Sequence, residues 1–199
     1  MAKAATKLPA SVWIVMPGLN ESRYVRTVLK KVKKYTNNII FIDDGSTDET
    51  VAEARKEITH VLHHKVNLGK GAALKTGCDY AFNELGAKTV IMMDSDDQHN
   101  PAELPKFIEA MIAANADVVF GARKVDGQMP FFKRLMNKCA SMSIKLLFGG
   151  QFIPDIPSGY KALSKKAYPK LRWDALGYQV EMEIASRVSR YNIPFTSIT

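Results

Sequence analysis

The chain has 199 residues, 46% of them apolar, and a formal charge of +8. That length suits a single domain able to bury its own core. The positive balance suits an anionic partner such as a nucleotide phosphate, a nucleic acid or an anionic membrane surface, or simply a soluble basic surface. Cys78 and Cys139 lie far apart without metal-type spacing and read as free thiols in a reducing compartment. Met1 to Ala10 carries Lys3 and Lys7 with no apolar stretch after them, so no signal peptide is expected, and no apolar run approaches the length of a membrane span.

Short apolar runs alternate with amphipathic stretches along the chain. Val12 to Met16 reads as a strand broken by Pro17-Gly18, and Glu21 to Tyr35 as a helix with Val25, Val28, Leu29 and Val32 on one face. Ile39 to Ile42 is a second strand, followed by a helix capped by Thr47 or Asp48 and running to about Ile58. Val61 to His64 reads as a strand, Gly69 to Leu85 as a helix, Thr89 to Met93 as a strand, Glu103 to Ala114 as a helix and Asp117 to Phe120 as a strand. Apolar strands alternating with helices predict a mostly parallel α/β sheet flanked by helices, with ligands beyond the carboxyl ends of its strands. From Lys124 to Phe148, basic residues interleave with Phe131, Phe132, Leu135 and Met136. This reads either as a helix packed on the sheet with a solvated basic face, or as an interfacial helix touching anionic lipid. A single domain over 1–199 follows, with about 1–125 binding the ligand and about 126–199 forming a second side of the site.

The polar clusters fall at the expected strand ends. Asp94-Ser95-Asp96-Asp97-Gln98 follows an apolar strand directly. Carboxylates so close repel one another and leave water at high cost, and a hard cation such as Mg²⁺ or Mn²⁺ removes the problem. The alternative is an acidic loop in which Asp97 or Asn100 caps the next helix. Upstream, Pro17-Gly18-Leu19-Asn20-Glu21 and Asp43-Asp44-Gly45-Ser46 place further carboxylates at two strand ends, where they can accept from a nucleobase edge and ribose hydroxyls. Asp48 reads as a helix cap. Asn67-Leu68-Gly69-Lys70-Gly71 opens a helix whose N-terminus can attract phosphate, with Lys70 either a ligand contact or a solvated lysine. It matches neither a P-loop nor a dinucleotide fingerprint. His63-His64 reads as strand-end packing rather than metal ligation.

These motifs, in this order, resemble those of the family 2 glycosyltransferases, and most closely the dolichyl- and polyprenyl-phosphate mannose or glucose synthases. The resemblance spans Val12 to about Thr196 and implies a Rossmann-like fold of the GT-A type. By the same resemblance Asp94, Asp96 and Gln98 hold Mg²⁺ or Mn²⁺, and Pro17, Leu19, Glu21, Ile42, Asp44, Lys70 and Ser95 hold the nucleotide sugar. Arg123 and Arg134 neutralise its phosphates, and Asp94, Asp96, Arg123 and Asp155 form the catalytic set. Asp155, Ser158, Gly159 and Tyr160 lie on the acceptor side. Leu19 departs from the tyrosine common at its position. The implied reaction is inverting transfer from a GDP-mannose- or UDP-glucose-type donor to a polyprenyl phosphate. Alternatives are a hydroxyl acceptor, with Asp155, Glu181 or Glu183 as base, and a non-catalytic nucleotide-sugar-binding domain. Three acidic strand ends argue against nucleic acid. The expected setting is peripheral, at the cytoplasmic face of a membrane. A homo-oligomer or a membrane partner subunit is compatible with it, since family members often continue with a basic loop and membrane helices.

Overall fold

The structure is a computed structural model that describes residues 6–122, 142, 153 and 155–199. Its centre is a seven-stranded sheet: β1 (Val12–Gly18), β2 (Ile39–Asp43), β3 (His60–His63), β4 (Thr89–Met92), β5 (Val118–Gly121), β6 (Lys161–Ser164) and β7 (Phe195–Ile198), in the order β3-β2-β1-β4-β6-β5-β7. Every neighbouring pair is parallel except those of β6, which runs antiparallel to both β4 and β5. The sheet is therefore mixed and mostly parallel, and β6 and β7 are the strands that the apolar pattern did not reveal.

Alternation along the strands divides the core. Val15, Ile40, Ile42, Val90, Met92 and Leu163 face α3 (Lys70–Asp79) and α6 (Val180–Arg190), with Trp173 fully buried among them. Ile14, Met16, Ile39, Phe41, Ile91 and Val119 face α1 (Val25–Val32) and α4 (Leu104–Ala113). A sheet covered on both faces needs apolar residues at nearly every position, which is why β1 and β2 read as unbroken runs. On α1 the predicted face of Val25, Val28, Leu29 and Val32 is buried throughout. Each such side chain contributes roughly 1.5–3 kcal/mol relative to an exposed one.

β1 runs on through Pro17-Gly18, which were expected to break it, and β2 extends to Asp43, whereas the observed helices are shorter than the periodicity predicts. α1 is preceded by a turn in which the Tyr24 and Val25 amides donate to the Glu21 carbonyl, and α2 (Thr50–Arg55) stops three residues before Ile58. The helix expected to run to Leu85 changes at Tyr80 into a π-helical turn, Tyr80–Glu84, where the Leu85 amide donates to the Tyr80 carbonyl at 3.2 Å. Gly86, at φ +67°, then releases the chain toward β4. A 3₁₀ turn, Pro101–Glu103, precedes α4, and the short α5 (Tyr168–Leu171) links β6 to α6. Apart from Met142, the expected basic helix between Lys124 and Phe148 lies outside the described residues, as do Arg123, Arg134 and Cys139. Cys78 is a buried free thiol, which burial pushes well above the usual thiol range.

Candidate active site

The carboxyl ends of β1, β2 and β4 point to one edge of the sheet. Because β6 is antiparallel and pairs Lys161 with Met92, its entry loop, 155–160, arrives at the same edge. A cleft of about 280 Å³ opens there. It is lined by Pro17, Gly18, Leu19 and Glu21 after β1, Asp44 after β2, Asn67, Gly69 and Lys70 at the start of α3, Asp94, Ser95 and Asp96 after β4, and Tyr178. Of the residues expected to hold the nucleotide sugar, Ile42 lies beneath this cleft in the core, and Arg123 and Arg134 fall outside the described residues.

Asp43 and Asp44 behave differently although they are adjacent. The Asp43 carboxylate turns back on its own loop, accepting from the Gly45 and Ser46 amides at 3.2 and 3.0 Å and pairing with His63 Nδ1 at 2.7 Å. Asp44 reaches across to the chain before α3. It accepts from the amides of Leu68 and Gly69 at 3.0 and 2.7 Å and pairs with His64 Nδ1 at 2.7 Å, while His64 Nε2 lies 3.1 Å from the Thr76 hydroxyl. The histidines therefore brace the two carboxylates, a role that depends on the β2–β3 register and not on strand-end packing alone. Gly45, at φ +83°, lets the loop turn, and a Cβ there would sit 2.6 Å from the Val66 backbone.

At the N-terminus of α3, Gly69 and Lys70 line the cleft while the next two residues are covered. The Ala72 amide donates to the Leu176 carbonyl at 3.0 Å, and a Cβ on Gly71 would meet the Ala175 carbonyl oxygen at 2.2 Å. The 172–178 loop thus covers this end of the helix, fixed by the Trp173 indole N–H donating to the Gly71 carbonyl at 2.8 Å and by Glu183, which accepts from the Asp174 and Ala175 amides. Glu183 is also held by Arg187, faces away from the cleft, and does not serve as a base there.

The acidic run after β4 also divides. Ser95 is buried and donates to the Pro17 carbonyl at 2.8 Å, tying β1 to β4. Asp97 adopts φ +65°, which turns its carboxylate outward to Lys31 at 2.6 Å. The expected knot of three carboxylates is therefore two, Asp94 and Asp96, joined from the β1 side by Glu21. Asn100, not Asp97, caps the following helical turn through the Ala102 amide at 3.1 Å. Burial together with the charges of Asp96, Asp48 and Asp94 raises the pKa of Glu21, a sign that the cleft carries uncompensated negative charge. Asp48 sits beside α2, accepting from the Thr50 and Ser22 amides, and its pKa is lowered to about 2 because these hydrogen bonds outweigh desolvation.

Lys70 answers part of that charge. Its ammonium lies 2.7 Å from Asp94 Oδ1 and 3.4 Å from Glu181 Oε1. Burial works against the charged amine, but Asp94 and Glu181 outweigh it and raise the pKa. Glu181 Oε2 accepts from Lys161, a fully buried lysine that also donates to the Ser158 and Ile156 carbonyls. Asp94, Lys70, Glu181 and Lys161 form a row of alternating charge running from the cleft into the core. Sequence reading missed Lys161 and placed Glu181 only by its nearness to the last strand.

The residues expected on the acceptor side are brought to this row in different ways. Gly159 packs on the ion pair itself: a Cβ there would lie 2.6 Å from Asp94 Oδ2 and 2.8 Å from Lys70 Nζ. Tyr160 is a packing residue, stacked on His99 at 4.7 Å with its hydroxyl donating to the Asn100 carbonyl at 3.3 Å. Burial holds its phenol far above the usual range. His99 accepts the Asp94 amide on Nδ1, and burial lowers its pKa. Ser158 and Gln98 line a second recess of about 120 Å³ with Tyr160 and His99. Asp155, at φ +47°, begins the turn closed by the Ser158 amide.

Among the described residues no three His, Cys, Asp or Glu side chains come together as a closed metal cage. Asp94 and Asp96 nevertheless fit a hard cation that keeps open positions for substrate oxygens, since both carboxylates line the cleft beside Glu21 and carboxylate oxygens are the ligands such cations prefer. An α/β sheet of this kind places its ligand site beyond the carboxyl ends of its strands, where these acidic strand ends and the start of α3 meet. The structure superposes on glucosyl-3-phosphoglycerate synthase from Mycobacterium tuberculosis in complex with UDP, with a TM-score of 0.70 at 21% identity over 94% of this chain and 69% of that one. The fold is thus of the GT-A type. The profile of Glycosyl transferase family 2 matches residues 13–172, and the chain belongs to that family of glycosyltransferases.

Named relatives narrow the comparison. The UDP-N-acetylglucosamine–dolichyl-phosphate N-acetylglucosaminyltransferase of Methanococcus voltae is 31% identical, over 78% of this chain and 70% of the relative. The polyprenol monophosphomannose synthase of Mycolicibacterium smegmatis is 29% identical, over 87% and 70%. An uncharacterised protein of Methanocaldococcus jannaschii is 32% identical, over 94% and 79%.

Proposed function

We propose that the chain transfers a sugar from a nucleoside-diphosphate sugar to a polyprenyl phosphate, with inversion and with a divalent cation. The observation that carries the reading is the meeting of Glu21, Asp44, Asp94, Asp96 and Lys70 in one cleft of a family 2 glycosyltransferase. The relatives named for dolichyl- and polyprenyl-phosphate transfer support the acceptor, and the solved complexes with Mn²⁺ and UDP-glucose support the type of donor.

In this reading Asp44 accepts from the N–H edge of the base with the lone pairs that its backbone partners leave free, and Leu19 covers the base or ribose. Asp94 and Asp96 would hold Mg²⁺ or Mn²⁺; Gln98, expected as a third ligand, lines the neighbouring recess and not the cleft. When bound, the cation screens the diphosphate and stabilises the charge of the departing nucleoside diphosphate. Lys70, and Arg123 and Arg134 from the segment outside the described residues, neutralise further phosphate charge. A phosphate oxygen of the acceptor bonds to the anomeric carbon, the bond from that carbon to the diphosphate breaks, and the electron pair leaves with the nucleoside diphosphate. A phosphate acceptor is already an anion and needs no base, so the site acts by positioning two like-charged reactants.

A thermal-shift panel of nucleoside diphosphates with and without Mn²⁺ tests the donor site. A ligand at a hundredfold excess over Kd stabilises by about 2.7 kcal/mol, or about 5–10 °C in a domain of this size. A shift with UDP or GDP that requires Mn²⁺ and vanishes in Asp96→Ala is expected. No shift with any nucleoside diphosphate would remove the donor assignment.

A further inference from the structure

Lys70 stands between two carboxylates and pairs with them unequally. Its ammonium is 2.7 Å from Asp94 Oδ1, whereas Glu181 Oε1, 3.4 Å away, makes no hydrogen bond although the residue is 95% buried. A buried carboxylate oxygen with an ammonium nearby but no aligned hydrogen bond calls for a reason. Glu181 cannot rotate to relieve it, because Oε2 is pinned by Lys161, itself anchored to the Ser158 and Ile156 carbonyls. The unfilled oxygen is therefore fixed in place and faces the lysine. Lys70 has the reach to serve either carboxylate, a four-carbon stem rooted at the first residue of α3, with the Tyr178 ring 5.7 Å from the ammonium.

Asp94 is also one of the two carboxylates that fit a divalent cation. A cation and an ammonium cannot both sit at full strength on one carboxylate, since like charges a few ångströms apart repel strongly. We propose that Lys70 has two seats: it occupies Asp94 when the metal position is empty, and it moves onto Glu181 Oε1 when a divalent cation takes Asp94. Glu181 and Lys161 are then positioning residues, and the acceptor-side loop, whose carbonyls hold Lys161, is coupled through Glu181 to the donor side. Lys70 lowers the affinity of the free protein for the metal, and Glu181 moderates that effect by giving the displaced ammonium a place to go. The inference rests on the metal reading above and concerns how this chain's own side chains make way for it.

Mn²⁺ binding to the full chain, followed by electron paramagnetic resonance without any sugar donor, tests the proposal, and heat denaturation confirms that each variant is folded. Lys70→Met is expected to tighten Mn²⁺ binding by about tenfold, within the range usual for coupled sites. Glu181→Gln is expected to weaken it several-fold, and to have no effect in the Lys70→Met background, because its role passes entirely through the lysine. If Glu181→Gln weakens binding equally in both backgrounds, Glu181 acts only as a distant charge and the two-seat arrangement is wrong. If Mn²⁺ binds neither the wild type nor Lys70→Met, the metal reading falls and this inference with it. A second measurement needs no variant: in crystals of the wild type soaked with Mn²⁺, Lys70 Nζ should close from 3.4 Å to about 2.8 Å from Glu181 Oε1 and lie more than about 3.5 Å from Asp94. Lys70 still paired with Asp94 beside bound Mn²⁺ would overturn the proposal.

Discussion

Asp44→Asn is the substitution whose cost can be worked out most fully. The carboxylate is buried and receives the Leu68 amide at 3.0 Å, the Gly69 amide at 2.7 Å and His64 Nδ1 at 2.7 Å. An asparagine keeps one acceptor oxygen and replaces the other with an amide nitrogen. Facing one way, that nitrogen confronts the Gly69 amide; facing the other, it confronts the Leu68 amide and His64. At least one hydrogen bond to a charged acceptor is lost, at about 1.5–3 kcal/mol, and a buried donor is left unsatisfied, at about 1–3 kcal/mol. A loss of about 3–4 kcal/mol in folding stability follows, together with loosening of the Asn67–Gly69 turn that lines the cleft. Asp48→Asn is the control: the N-cap of α2 is Glu49, not the expected Asp48, and the exposed Asp48 accepts from the Thr50 and Ser22 amides, which asparagine does nearly as well, so less than about 1 kcal/mol is expected. Urea unfolding followed by fluorescence of Trp13 and Trp173 gives both stabilities, and calorimetric titration with UDP and GDP in the presence of Mn²⁺ gives the affinities. Asp44→Asn should lose more of both than Asp48→Asn. Equal losses for the two would refute the assignment of Asp44 as the brace of the cleft.

Gly159→Ala should cut transfer by about 100-fold while leaving the fold intact, because the added methyl displaces the Lys70–Asp94 pair and a shift of about 1 Å at a reacting centre costs that much; activity assays and melting curves compare the two effects. Lys161→Met should destabilise by about 3–5 kcal/mol in urea unfolding, since it strands the Glu181 carboxylate in the core, and Lys161→Met with Glu181→Leu should recover part of the loss. On the acid side, the pKa of Asp48 is depressed from 3.8 to about 2, so its contribution is complete above pH 3.8 and is lost as the pH falls toward 2. Stability measured between pH 5 and 2 should therefore fall less steeply in Asp48→Asn than in the wild type.

The elements that build the cleft floor were legible because burial on both faces forces unbroken apolar runs, and β1, β2, β4 and β5 each carry one. The same logic hid β6, where Lys161 occupies a fully buried strand position that a lysine takes only with partners from elsewhere in the chain. α6 had a signal that was not used: Val180, Ile184, Ala185 and Val188 have helical spacing, and they place Glu181 at the edge of the buried stripe. Asp94, Asp96 and Asp44 were legible as acids at strand ends. The outward turn of Asp97 depends on a single positive φ, and the bracing of Asp43 and Asp44 by His63 and His64 depends on β-sheet register. Neither is written in local composition.

The account stands most directly on product formation. The protein is incubated with Mn²⁺, a short polyprenyl phosphate and, in separate reactions, UDP-glucose, UDP-N-acetylglucosamine and GDP-mannose, and the lipid fraction is read by mass spectrometry. The account predicts a glycosyl phosphoprenol from one of these donors, its absence with Asp96→Ala, and inverted anomeric configuration in the product. A polyprenyl phosphate recovered unchanged from every donor, while a hydroxyl acceptor is glycosylated in the same protein preparation, would contradict it.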